Sequence, residues 1–201
     1  MPFFMVNLAA AMFTALRESI NRLVPLSDAD FVAMVARLTV RTVRRKEHFL
    51  RQGEVCRHVA FINKGCFRYY TLHDGDEYTA QFFFEGGWIT DYESFLTKKP
   101  ALLSIEALEE GELLLSYDDL QHLYAQSHAM ERFGRLMAEQ IFVAVQAIVL
   151  FMRNYTPEER YRKLMQERPK VMQRVSQQYI ASYLGIKPES LSRIRKRLTD
   201  E

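Results

Sequence analysis

Only two cysteines, Cys56 and Cys66, occur among the 201 residues. Two are too few for a disulfide scaffold and fit a reducing compartment. They are also too few for a cysteine-held iron–sulfur cluster. The five histidines, His48, His58, His73, His122 and His128, show no metal-ligand spacing. No His-x-His pair is present to hold a metal in a cupin-like barrel, and no Gly-x-Ser-x-Gly elbow is present. Neither cysteine lies in a local catalytic signature, and both read as structural thiols rather than a redox pair. The chain is therefore expected not to be an enzyme.

Long apolar runs are scarce as well. Beyond the N-terminal run, the longest, Ile141 to Met152, is about 18 Å as a helix at ~1.5 Å per residue, short of a bilayer span. The run Phe3 to Leu16 is uncharged, but it lacks a basic n-region and a small-residue cleavage site. We read it as a cytoplasmic N-terminus and expect no membrane segment.

What is present suffices for a packed core: 48% of residues are hydrophobic and 12% aromatic, which argues against global disorder. The length exceeds one average domain and suits a sensor joined to a reader. The net charge of +2 conceals an asymmetry. From Arg153 to Glu201 there are 12 Lys/Arg against 6 Asp/Glu, whereas residues 1–152 carry 15 against 19. A basic C-terminal part on an acidic body is what a phosphate backbone attracts.

Ser27 is a candidate N-cap, with Asp30 three residues on and Phe31, Met34, Val35 and Leu38 on one face. From about Val40 to Ser116 short β-rich runs alternate with turn signals. They are Val59–Ile62, Phe67–Leu72, Tyr78–Phe84, Leu102–Ala107 and Glu112–Ser116. Asp74-Gly75 is a hairpin turn, because such a pair takes positive φ readily. Many short strands at near-regular spacing imply a small sandwich, barrel or β-roll. Helical texture returns at Tyr117. Ser127 to Arg153 has no proline, and after Ile141 Gln146 is its only polar residue before Arg153. A helix without a polar face needs covering on both sides. One side suits the β domain; the other suits the same helix of a second subunit, or more of a single larger domain. Thr156-Pro157-Glu158-Glu159 restarts a helix with threonine at N-cap, proline at N1 and glutamate at N3, and that helix ends before Pro169.

The segment Ser176 to Leu198 carries the most specific signal. Ser176 caps a first helix whose Ile180, Ala181 and Leu184 point inward. Gly185 supplies a left-handed C-cap, and Ile186 plugs the turn. Pro188 starts a second helix with Leu191, Ile194 and Leu198 inward and Glu189, Ser190, Ser192, Arg193, Lys196 and Arg197 outward. This is the pattern of a helix-turn-helix, whose second helix enters the DNA major groove.

With these pieces in place the chain, from about Leu16 onward, resembles the Crp/Fnr family of transcription regulators. Its most specific pieces are Ile180-Ala-Ser-Tyr-Leu-Gly-Ile186 and Pro188-Glu-Ser-Leu-Ser-Arg193. The resemblance implies an α+β fold. Residues 1–126 would form a jelly-roll-like β-roll sensor of cyclic-nucleotide-binding type, 127–153 a dimerisation helix, and 154–201 a winged helix-turn-helix domain. It places base contacts at Pro188, Glu189 and Arg193, with the usual arginine absent at Pro188. It places phosphate contacts at Ser176, Gln178, Lys187, Ser190 and Lys196, with Ser192 facing the same groove. Implied partners are a second copy, double-stranded DNA with an inverted-repeat site, RNA polymerase and a small-molecule effector.

The sensor departs from the pattern. The lead-in Glu85-Gly86-Gly87-Trp88-Ile89 matches, but the ribose-holding Gly-Glu positions read Thr90-Asp91. The phosphate-clamping arginine and its neighbour fall on Ala101 and Leu102, near Lys98 and Lys99. A buried anion needs a paired cation, so cAMP is not expected as the ligand and the effector stays unidentified. The rival outside this class is a small-molecule or nucleotide-binding module that signals through protein contacts rather than DNA.

Overall fold

The computed structural model describes residues 13–116 and 120–199. It opens with α1 (13–21) and α2 (Asp28–Val35). As expected, Ser27 accepts a hydrogen bond from the Asp30 amide and caps α2, a bond that satisfies one of the free donors at a helix start. Leu38, expected on this helix, instead opens strand β1 (Leu38–Val43).

Seven further strands follow: β2 (His48–Leu50), β3 (Val59–Lys64), β4 (Phe67–His73), β5 (Asp76–Phe83), β6 (Trp88–Ile89), β7 (Ser104–Ala107) and β8 (Gly111–Ser116). A short helix, α3 (Tyr92–Thr97), lies between β6 and β7. The strands form two antiparallel four-stranded sheets, ordered β1-β8-β3-β6 and β2-β7-β4-β5. The hairpin turn falls where Asp74-Gly75 placed it, with φ of 52° and 87°. Strands β1, β2 and β6 and helix α3 were not named from the sequence. At three and two residues, β2 and β6 are too short for a period of two to show.

Where β3 turns into β4, Gly65 (φ +110°) crosses Gly111 so closely that a Cβ on Gly65 would sit 2.9 Å from the Gly111 Cα. A Cβ on Gly111 would in turn sit 2.7 Å from the Lys64 carbonyl, so a side chain at either glycine would force backbone to shift. Inside the roll, Phe49, Leu50, Phe67, Ile89, Phe95, Ala101, Ile105 and Leu113 form a continuous apolar core.

Each sheet has a helical cover on its outer face. Leu16, Ile20 and Met34 from α1 and α2 pack on Phe61 and Leu114, together with Leu123, Met130 and Phe133. The last three come from α4 (Leu120–Gln126) and α5 (His128–Asn154), with Ser127 capping α5. Four shorter helices follow: α6 (Pro157–Glu167), α7 (Pro169–Arg174), α8 (Gln177–Leu184) and α9 (Pro188–Thr199). Their core of Tyr161, Leu164, Val171, Ile180, Leu184, Leu191 and Ile194 runs on into Cys66 and Phe82 of the roll. Strands of a wing are absent among the described residues beyond 154.

Helix α5 is 27 residues long. The 12-residue apolar run understated it: by length and composition alone the whole helix could cross a membrane. Its first half packs on the roll, whereas Phe142, Val143, Val145, Val149 and Leu150 are each more than half exposed.

Candidate nucleic-acid interface and sensor cleft

Helices α8 and α9 meet as the sequence pattern requires. Gly185 adopts φ 71° at the C-cap of α8, and the Ile186 amide donates to the Ala181 carbonyl, closing the helix in the left-handed manner glycine favours. Leu191 and Ile194 are buried; Glu189, Ser192, Arg193, Lys196 and Arg197 are exposed and Ser190 is half-buried. Ser190, Arg193, Lys196 and Arg197 line one groove beside the start of α6. Arg193 donates to the Ser190 hydroxyl at 3.3 Å, so Ser190 rather than Glu189 steadies it here. Gln178, Lys187 and Pro188 are exposed around the same turn. Ser176 stands at the N-cap of α8, but its hydroxyl accepts no capping bond, which leaves it available to another acceptor or donor.

The helical domain is held to the roll by polar contacts that the sequence did not disclose. Arg68 of β4 is 1% exposed; its Nε donates to Glu106 at 2.6 Å and its Nη2 to Glu77 at 2.5 Å. Its guanidinium lies between the rings of Tyr70 (4.1 Å) and Tyr179 of α8 (3.9 Å). Lys46 also donates to the Tyr179 hydroxyl. Strand β5 is the edge of its sheet, and its Thr79 amide donates to Ser182 Oγ at 2.9 Å while that hydroxyl donates to the Glu77 carbonyl. A helix thus covers a strand edge that would otherwise expose unpaired groups. Arg168 donates to the Gln81 side chain and, at 2.6 Å, to the Phe82 carbonyl.

Arg174 grips Glu85 in a fork at 2.6 and 2.8 Å and also bonds Glu109. That hydrogen bonding holds the Glu85 carboxyl down to about 2 despite partial burial. At the joint with α5, Arg160 donates to the carbonyls of Met152 and Leu184, each at 2.8 Å, filling acceptors that helix ends leave free. The one signal for this network in the sequence was Arg68, a lone charge within an apolar strand.

In the roll, Asp91 is buried and caps α3 by accepting from the Ser94 amide. Thr90 Oγ1 donates to the His58 carbonyl, and the Tyr69 hydroxyl accepts from the Thr90 amide (2.8 Å) and donates to its carbonyl (2.7 Å). Burial pushes the Tyr69 phenol well above its ordinary range, so it stays neutral. Ala101 is buried in the apolar core, while Leu102 is 70% exposed. Lys98 lies over the Phe95 ring, and both Lys98 and Lys99 are exposed. These residues do not fit a cyclic phosphate: no cation faces the interior at the clamp positions, and Tyr69 already occupies the backbone groups of Thr90. Both cysteines are buried, and desolvation, reinforced by Glu109, raises the Cys66 thiol to about 12. A thiol so raised is a poor nucleophile. Among the described residues no group of His, Cys, Asp or Glu could hold a metal ion.

Between the β5–β6 side of the roll and α5 lies a cleft of about 790 Å³. Tyr69, Phe83, Trp88, Tyr124, Phe133 and Met137 contribute to its walls. Trp88 packs edge-on to Phe61 and tilted against Phe133, and its indole donates to Ser19 of α1.

Residues 40–127 match the cyclic nucleotide-binding domain family. No curated protein sequence matches the chain. Solved structures do share its fold. FixK2 from Bradyrhizobium japonicum is 20% identical at a TM-score of 0.67, over 81% of this chain and 85% of that one. The c-di-GMP responsive global regulator CLP of Xanthomonas campestris is 17% identical at 0.66, over 87% and 92%. A CooA mutant from Carboxydothermus hydrogenoformans is 13% identical at 0.65, over 84% and 79%.

Proposed function

We propose that this chain, which carries a cyclic nucleotide-binding domain and has the fold of Crp/Fnr regulators, is itself a dimeric transcription regulator that binds DNA. The observation that carries the reading is the α8–α9 pair. Its inner side chains are buried, and its second helix turns Arg193, Lys196 and Arg197 to one exposed face. Ser176, Gln178, Lys187, Ser190 and Lys196 would hold phosphates, with Pro188, Glu189 and Arg193 at base edges and Ser192 facing the same groove. Phosphate contacts position and base contacts specify. Residues 1–126 would act as sensor, 127–153 as dimerisation helix and 154–201 as reader.

Dimerisation is supported by the exposed Phe142, Val143 and Leu150 on one side of α5, which a second α5 would cover. The reading makes the protein cytoplasmic, non-enzymatic and a partner of RNA polymerase at promoters. Selection of bound sequences from a random DNA pool tests it, followed by titration of the winner at several salt concentrations. The expected outcome is an inverted repeat with half-sites about one helical turn apart and an affinity that falls steeply with salt. A protein that enriches no sequence, and whose association is insensitive to salt, is not a DNA regulator.

A further inference from the structure

The cleft beside α5 is aromatic and aliphatic along most of its wall, and its charge is singular. Among its 26 lining residues only Arg22 carries an ionised side chain at neutral pH. Arg22 lies just beyond α1, is exposed, and makes no side-chain ion pair or hydrogen bond with the described residues. The remaining polar side chains are neutral: Ser19, Gln81, Thr90, Gln140 and the phenols, of which Tyr69 is already engaged with Thr90.

The cleft is separable from the face that a second copy would cover. At 100° per residue, Met137, Ile141, Ala144 and Ile148 form the stripe of α5 turned to the roll, and all four line the cleft. Phe142, Val143 and Leu150 lie on the opposite side, exposed and outside the lining, whereas the exposed Val145 and Val149 border the cleft. Pairing of two α5 helices through that opposite side leaves the cleft open. Its size suits a small molecule.

We propose that this cleft binds an amphipathic monoanion whose apolar body lies along Phe83, Trp88 and Met137 and whose carboxylate-type head meets Arg22 at the rim. A head group at an exposed cation keeps most of its hydration, and the apolar body gains from leaving water. A cyclic nucleotide reverses that arrangement, since its phosphate would have to enter the roll where Ala101 and Tyr69 stand. That the ligand is the regulator's effector rests on the function proposed above; that it binds does not.

The chain has one tryptophan, Trp88, within the wall of the cleft, so its emission reports occupancy without DNA. The test titrates the full chain with decanoate, decanol and cAMP, the first two below their self-association limits. Decanoate should change Trp88 emission saturably, decanol should bind more weakly, and cAMP should cause no saturable change. Arg22→Gln should remove decanoate's advantage over decanol, up to about fivefold for an exposed ion pair. Ala144→Phe and, on the opposite wall, Ala80→Phe should each abolish both signals; using both guards against a variant that misfolds.

The proposal is overturned if neither probe gives a saturable change, if cAMP binds as well as decanoate, or if Arg22→Gln leaves the decanoate-to-decanol ratio unaltered. A parallel DNA titration with and without decanoate addresses the effector role alone. Loss of DNA binding in every arm, with the fluorescence response intact, would sink the DNA reading and leave the cleft assignment standing.

Discussion

The guanidinium carbon of Arg68 lies 3.9 Å from the ring centre of Tyr179, tying strand β4 of the roll to helix α8. The contact is desolvated, with Arg68 1% exposed and Glu106 5% exposed. Cation–π contacts of this kind are worth about 2 kcal/mol or more when water is excluded. Tyr179→Ala should therefore loosen the helical domain without unfolding the roll. Hydrogen exchange should quicken at the Thr79 amide, which Ser182 covers, while strand β8 stays protected. Arg68→Ala should do more harm, up to about 3–5 kcal/mol, because it leaves buried Glu106 with only the Lys46 ammonium at 3.4 Å. A melting temperature equal to wild type in Arg68→Ala would contradict this account.

Dimer formation through α5 predicts that a charge at Phe142 or Leu150 blocks association, since each is more than half exposed in the single chain and would be buried unpaired in the pair. Light scattering of Leu150→Glu should give a monomer with an unchanged circular dichroism spectrum. A dimer of unaltered mass would place the interface elsewhere.

Arg193 should read a base and Lys196 should only hold backbone. Arg193→Ala should cost about 1–3 kcal/mol at one position of the site and relax preference there. Lys196→Ala should weaken all sequences alike and lower the salt slope by about one. Repeating the DNA selection with each variant checks this. An Arg193→Ala protein that keeps the wild-type preference would remove Arg193 from the readers.

The grip of Arg174 on Glu85 carries a pH signature. In the folded chain Glu85 is held down to about 2 against an ordinary 4.5. A depressed carboxyl stabilises above its unfolded value and loses that contribution as pH falls toward the folded one. Attachment of the helical domain should thus weaken between about pH 4.5 and 2, and Glu85→Gln should flatten that part of the stability profile. Chemical denaturation at stepped pH measures it; parallel profiles for wild type and Glu85→Gln would show that the pair contributes nothing.

What the sequence by itself determined is the local grammar. Ser27 and Ser127 cap their helices, Asp74-Gly75 turns its hairpin, Thr156 to Glu159 forms its capping box, and Gly185 ends α8. Each depends on neighbours within a few residues, so chain order alone specifies them. The apolar spacing of Leu191 and Ile194 likewise set which face of α9 stays in water. Tertiary structure alone decided the rest. Arg68 and Tyr179 are more than a hundred residues apart, and nothing local in either marks them as partners. Short strands such as Trp88–Ile89 exist because Ala60 and Phe61 offer them an edge. The cleft arises only because α5 runs past β5 and β6, enclosing a space that Arg22 and Trp88 both line. Burial of a charge, and the space left between packed elements, are properties of the assembled chain: they follow from which surfaces meet, and the residue pattern within a single element does not encode that.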